Sequence, residues 1–200
     1  MKPIVFVGES LGESELRLPG HPPLFGPSGA ELLRMLAEAK VITLTSFDRE
    51  YIHAYYRESN PAYIAAIWDL HPEIRRTNVF NSHPPRNDLL HYCGDKPSGI
   101  PGFPALLKSR YVRKEFEFEL DRLSSELLTL DPNIVVCLGN TPLWALTGKT
   151  GITKVRGTTL LSTHTAADFK LLATYHPAAV IRDWSLRPQP PLPTSHRAIP

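Results

Sequence analysis

Glu9 is the first residue of this chain placed to do chemistry. The apolar run from Pro3 to Val7 suits a fully buried strand, and the chain then breaks at once into Gly8-Glu9-Ser10-Leu11-Gly12. A carboxylate is thus delivered to the carboxyl end of a core strand, the edge at which open parallel α/β sheets hold their ligands. Gly26-Pro27-Ser28-Gly29 then precedes Leu32, Leu33, Leu36 and Ala39 at helical spacing, which predicts a helix with Ser28 as its N-cap and the first amides as an anion cradle. One loop offers an acid and a phosphate seat.

The same arrangement recurs down the chain. Residues 77–82 are β-prone and stop at His83-Pro84-Pro85-Arg86-Asn87, a rigid polar loop. The buried run Ile134-Val135-Val136-Cys137-Leu138 opens into Gly139-Asn140-Thr141-Pro142, with Thr141 expected as a cap and Pro142 in the first turn of a short helix. Residues 171–175 end on His176-Pro177, where the proline can open another helix. Glu9, Asn87, Asn140 and His176 therefore all fall just past strand ends, so one site at one sheet edge would collect them.

Alternating strands and helices predict a three-layer α/β/α sandwich with a central four-stranded parallel sheet. Residues 158–162 are a candidate edge strand. The aromatic and aliphatic residues between Thr45 and His71 read as two short helices broken at Asn60-Pro61, with their aromatic series in the core. Residues 92–104 read as a Gly/Pro-rich loop, and residues 111–130 as one long helix whose Phe116, Leu120, Leu123, Leu127 and Leu130 form a stripe. Its charged residues, Glu126 among them, read as a solvated face.

Composition narrows the function classes. Two hundred residues at 42% hydrophobic content fit one domain, here residues 1–187, followed by the Pro-rich, flexible tail 188–200. A net charge of +2 permits a nucleic-acid partner but excludes a bulk-electrostatic binder. Cys93 and Cys137 are too few for a disulfide scaffold, and no apolar leader or membrane-length stretch is apparent, so the expectation is a cytoplasmic protein with no membrane partner. No Walker-type phosphate loop or metal-spaced carboxylate cluster occurs, which argues against a generic nucleotide hydrolase.

Taken together the motifs resemble the uracil-DNA glycosylase superfamily, in its family-four-like branch of phage and bacterial members. Gly8-Glu9-Ser10-Leu11-Gly12-Glu13-Ser14-Glu15 is similar to that family's G-E-A-P-G-x-x-E, and Pro23-Leu24-Phe25-Gly26-Pro27-Ser28-Gly29 to its P-F-V-G-x-A-G. Thr77-Asn78-Val79-Phe80-Asn81-Ser82-His83-Pro84-Pro85-Arg86-Asn87 resembles T-N-V-V-K-C-R-P-P-x-N, and Thr174-Tyr175-His176-Pro177-Ala178-Ala179 to Arg182 resembles T-Y-H-P-A-x-x-x-R. The run from Pro132 to Gly139 is similar to P-x-V-I-V-A-L-G, and Ile152 to Gly157 to I-x-x-x-R-G. The motifs stand in the family's order.

The resemblance implies a monofunctional DNA glycosylase, an enzyme that extrudes a base and hydrolyses its N-glycosidic bond. It assigns Glu9 and Asn87 to the attacking water, His176 to the oxygen of the leaving base, and Asn78, with Ser10, to the base pocket. Ser28, Gly29, Arg86, Asn140, Thr141, Pro177 and Arg182 would meet the DNA, single- or double-stranded, and the protein is expected to act as a monomer. No lysine stands at a matched catalytic position, which favours hydrolysis over a Schiff-base lyase. A non-catalytic DNA-binding or inhibitor-binding module on the same fold is the alternative.

Two departures matter. Ser82 stands where the branch has a cluster-ligating cysteine, so no iron–sulfur centre and no other cofactor or metal is expected. Leu24 aligns with the aromatic that stacks on the flipped base, unless the register slips by one and Phe25 supplies the stack. A leucine there implies a wider pocket, suited to a bulkier pyrimidine such as a hydroxymethylated or glucosylated cytosine of phage DNA, and hence to anti-phage defence. Uracil and repair remain the other reading.

Overall fold

The computed structural model describes residues 2–20, 22–54 and 61–187, without the side chains of residues 53, 54, 61 and 87. The expected tail, Tyr55, Tyr56 and the break at Asn60 lie outside the described residues.

Strand β1 (Ile4–Ser10) buries Val5, Phe6 and Val7 completely or nearly so, because both of its faces are covered. The chain continues through α1 (Pro27–Glu38), α2 (Ser46–Ala54) and α3 (Pro61–Asp69) to β2 (Ile74–Phe80). A long crossover carries a two-stranded ribbon, β3 (Cys93–Gly94) and β4 (Tyr111–Val112), before α4 (Glu117–Leu130) and β5 (Ile134–Leu138). Then follow α5 (Asn140–Thr147), α6 (Ile152–Val155), β6 (Thr159–Leu161), β7 (Lys170–Thr174) and α7 (Pro177–Arg182).

The sheet runs β2-β1-β5-β7-β6, with the first four strands parallel and β6 antiparallel at one edge. The fold is therefore the α/β class expected, with the four parallel strands and the added edge strand. Val5 and Val7 face one core with Val79, Val135, Cys137 and Trp144, while Phe6 faces the other with Leu32, Leu33, Ile64 and Trp68. That alternation along β1 is the period of two that separates the layers. From β1 the chain goes to one side to make β2 and later returns to the other side to make β5. The sheet's switch point thus lies between the carboxyl ends of β1 and β5, where such folds hold ligands.

Several local expectations shift. β2 begins at Ile74, three residues before the β-prone stretch, because Arg76 is tolerated between the rings of Phe25 and Trp68, each 4.5 Å from its guanidinium carbon. The long helix begins at Glu117 and not Tyr111, since Tyr111 and Val112 pair with Gly94 and Cys93. Glu126 is half-buried: its Oε2 accepts from Thr77 Oγ1 and Arg122, each at 2.8 Å. Ser28 and Thr141 sit inside their helices, and Gly26 and Gly139 take the cap positions.

Candidate active site

A cleft of 590 Å³ opens at the switch point. Its walls include Glu9 and Ser10 from the end of β1, Leu24 from the loop into α1, Ser28 from the first turn of α1, Asn140 and Thr141 from α5, His176 just past β7 and Arg182 from α7. The sequence scattered these residues over the chain, and the parallel sheet brings their strand ends side by side.

Glu9 is half-buried, and Thr141 Oγ1 donates a hydrogen bond to its Oε2. Its Oε1 has no hydrogen-bond partner among the described residues. Burial raises the Glu9 pKa above the ordinary carboxylate value, while the Thr141 hydroxyl and the Arg182 guanidinium pull it back down. The carboxylate is thereby held at the cleft with one oxygen anchored.

His176 caps α7 through its ring: the Ala178 backbone N–H donates to Nδ1 at 3.1 Å. An accepting Nδ1 carries no proton, so the neutral ring keeps its proton on Nε2. Burial, with Arg182 adding to it, pushes the His176 pKa down to about 4. The imidazole is neutral near pH 7 and serves as an N–H donor.

Asn78 lies one residue back along the sheet, in register with Gly8. It is 2% exposed, and its Oδ1 passes so close over Gly8 that a Cβ there would sit 2.4 Å away. Any side chain at position 8 would displace the amide. That amide has no hydrogen-bond partner among the described residues, although it is outside the set lining the cleft. The Arg122 guanidinium fixes the backbone around it, donating to the carbonyls of Asn78 at 2.6 Å and Val79 at 3.1 Å and to Glu119 at 2.8 Å.

The structure places Leu24 and Phe25 differently. Leu24 lines the cleft with a left-handed backbone (φ 60°), and its carbonyl accepts from Trp68 Nε1 at 3.1 Å. Phe25 is 5% exposed and packs beneath Arg76. Gly29 is buried where a Cβ would come within 1.8 Å of the Leu24 carbonyl oxygen, so it closes this loop and does not line the cleft. Asn140 Oδ1 accepts from the Gly151 and Ile152 amides, both at 2.9 Å, and so anchors the start of α6 from the cleft edge. Pro177 is buried at the first turn of α7, Arg86 is exposed with φ 59°, and Asn87 closes the 3-10 turn Pro85–Asn87.

Two contributions escaped the sequence reading. Glu15 is buried, and its Oε1 accepts from the Phe25 and Gly26 amides, each at 3.1 Å, which staples the β1–α1 loop across the cleft. Its place in G-x-x-E was visible, but its role needed the fold. Leu89, Leu106 and Leu107 reach the cleft from the β2–α4 crossover, and no local pattern announces that.

The family model for the uracil DNA glycosylase superfamily matches residues 1–194. The chain belongs to that superfamily. Its members act on DNA, and the superfamily's α/β fold agrees with the sheet described here. Among curated proteins none matches the chain. Within this superfamily member Cys93 and Cys137 are free thiols, and burial raises them to about 11 and about 12. Among the described residues no group of three His, Cys, Asp or Glu side chains is placed to hold a metal ion, and no helix is long and apolar enough to cross a membrane.

Proposed function

We propose that this chain is a monofunctional DNA glycosylase that takes a pyrimidine nucleotide out of the stack and hydrolyses its N-glycosidic bond, leaving an abasic site. One observation carries the reading: a carboxylate with a free oxygen and a neutral imidazole with its proton on Nε2 share one cleft.

As the C1′–N1 bond breaks, its electron pair moves onto the base and negative charge grows on the base oxygen. His176 Nε2–H donates a hydrogen bond to that oxygen without giving up its proton. The sugar becomes oxocarbenium-like and faces the Glu9 carboxylate, which stabilises the positive charge. A water held by Glu9 and Asn87 adds to C1′, its proton passes to Glu9, and the released base takes a proton from solvent. Asn78 offers the base edge both a donor and an acceptor. Ser28, Arg86, Asn140, Thr141 and Arg182 contact the DNA strand, and the buried Gly29 and Pro177 shape the turns that present them.

We read the base as uracil or a bulkier cytosine, hydroxymethylated or glucosylated. Leu24 in the cleft, with Phe25 turned away under Arg76, favours the bulkier class, and with it defence against phage carrying such DNA. The assignment to the family-four-like branch without an iron–sulfur cluster is part of the same reading. The test is borohydride trapping during turnover of DNA that yields abasic sites. Abasic sites without a covalent protein–DNA adduct support hydrolysis, whereas a trapped adduct would place a Schiff-base lyase here.

A further inference from the structure

The β2–α4 crossover, residues 81–116, sends Leu89, Leu106 and Leu107 into the cleft wall. It is firmly held. The fully buried Trp144 donates from Nε1 to the Pro104 carbonyl at 2.8 Å, and the Phe103 ring lies 4.8 Å from the Trp144 ring. On the other side the Ile100 amide donates to Val112 O at 3.0 Å and the Arg113 amide to Tyr92 O at 2.9 Å. Between these anchors the chain reverses in a tight turn, with the Leu106 amide donating to Arg110 O at 2.9 Å and the Arg110 amide to Leu107 O at 2.6 Å.

The turn carries Lys108, Ser109 and Arg110, all exposed. Neither Lys108 nor Arg110 has an ion pair or side-chain hydrogen bond among the described residues, whereas Arg34, Arg122 and Arg187 are each tied to carboxylates. Lys108 also adopts φ 47°. Of the other non-glycine residues with positive φ, Lys40 and Asp131 end α1 and α4, where a left-handed residue is the ordinary terminator. Leu24, Arg86 and Lys108 instead sit in the loops that build the cleft, and strain of that kind persists where the surroundings enforce it. Apolar side chains thus face the cleft from the same short turn that carries two exposed, unpaired cations.

We propose that the turn Leu107–Arg110 is a DNA-gripping ridge, with Lys108 and Arg110 taking backbone phosphates beside the nucleotide that enters the cleft. The inference rests on the glycosylase reading for its partner and adds a second contact surface to it. Phosphate contacts fix register on DNA and carry no base information. The ridge therefore serves any base the cleft accepts.

The experiment is equilibrium binding of a labelled uracil-containing duplex across a salt series, for the full chain, the double variant Lys108→Gln/Arg110→Gln, and a control, Lys40→Gln/Lys170→Gln, that removes the same charge elsewhere. Two lost phosphate contacts predict a log Kd against log salt slope smaller by about 2 and binding about tenfold weaker at moderate salt, with the control near the parent. Thermal melting checks that both variants fold. An unchanged slope, or an equal change in the control, overturns the ridge and leaves the glycosylase reading standing. A parent chain that binds no DNA overturns both.

Discussion

The Ala178 amide donates to Nδ1 of His176 at 3.1 Å, so the helix that follows the last core strand decides which nitrogen of the ring bears the proton. A histidine before a proline at a strand end is therefore also the cap of α7, and its free Nε2–H is a product of the fold.

His176→Ala removes this donor. The expected loss in kcat is about 10²- to 10³-fold, the usual effect of deleting one donor to a developing oxyanion, with little change in DNA affinity. Single-turnover rates alongside binding separate the two.

The His176 ring should not titrate in the physiological range. Its 15N signals are predicted to keep the Nε2–H pattern from pH 8 downward and to change only on approach to about 4. The folded pKa lies below the unfolded value, so the unfolded state binds more protons between them. The contribution to stability is present above about pH 6.5 and is lost as the pH falls toward about 4. In His176→Gln that part of the acid destabilisation should be absent.

Glu9→Gln should reduce hydrolysis by about 10²- to 10⁴-fold, the range for a positioned acid–base group. Because the Glu9 pKa is raised, activity should fall on the acid side at a pH above the ordinary carboxylate value. Thr141→Val removes a donor to the charged form, so it should move that limb further up in pH. A limb that moves down in Thr141→Val would contradict this geometry.

Leu24→Phe narrows the cleft and should shift preference toward uracil and away from a glucosylated cytosine. Phe25→Leu should leave base preference unchanged, because Phe25 packs under Arg76. Equal activity on both bases after Leu24→Phe removes the argument for a widened pocket.

Arg122→Met leaves the buried Glu119 carboxylate without its cation and frees the Asn78 and Val79 carbonyls. Breaking a buried pair from one side costs about 3 kcal/mol, less here because Arg122 is partly exposed. Denaturant unfolding measures it.

The layers and the strand ends were legible in the chain because apolar runs with abrupt polar exits are local signals, and Glu9, Asn140 and His176 follow from them. What escaped was set at long range. Tyr111 and Val112 leave the helix expected at 111–130 because Cys93 and Gly94 pair with them. Glu126 leaves the solvated face because β2 presents Thr77 beside it. Leu106 and Leu107 lie far along the chain from Glu9, and only the crossover's anchoring on Trp144 brings them to it. Leu24 and Phe25 are adjacent, and their opposite fates depend on Arg76 and on the Trp68 indole that holds the Leu24 carbonyl.

Base excision by the chain is scored as alkali-labile abasic sites on matched DNAs carrying uracil, cytosine, hydroxymethylcytosine or glucosylated hydroxymethylcytosine, with Glu9→Gln alongside. Abasic sites are expected at uracil, at a modified cytosine or at both, with none at plain cytosine, and Glu9→Gln should form them about 10²- to 10⁴-fold more slowly. A folded chain that binds these DNAs and produces no abasic site on any of them would contradict the glycosylase reading and leave a binding module on a glycosylase fold.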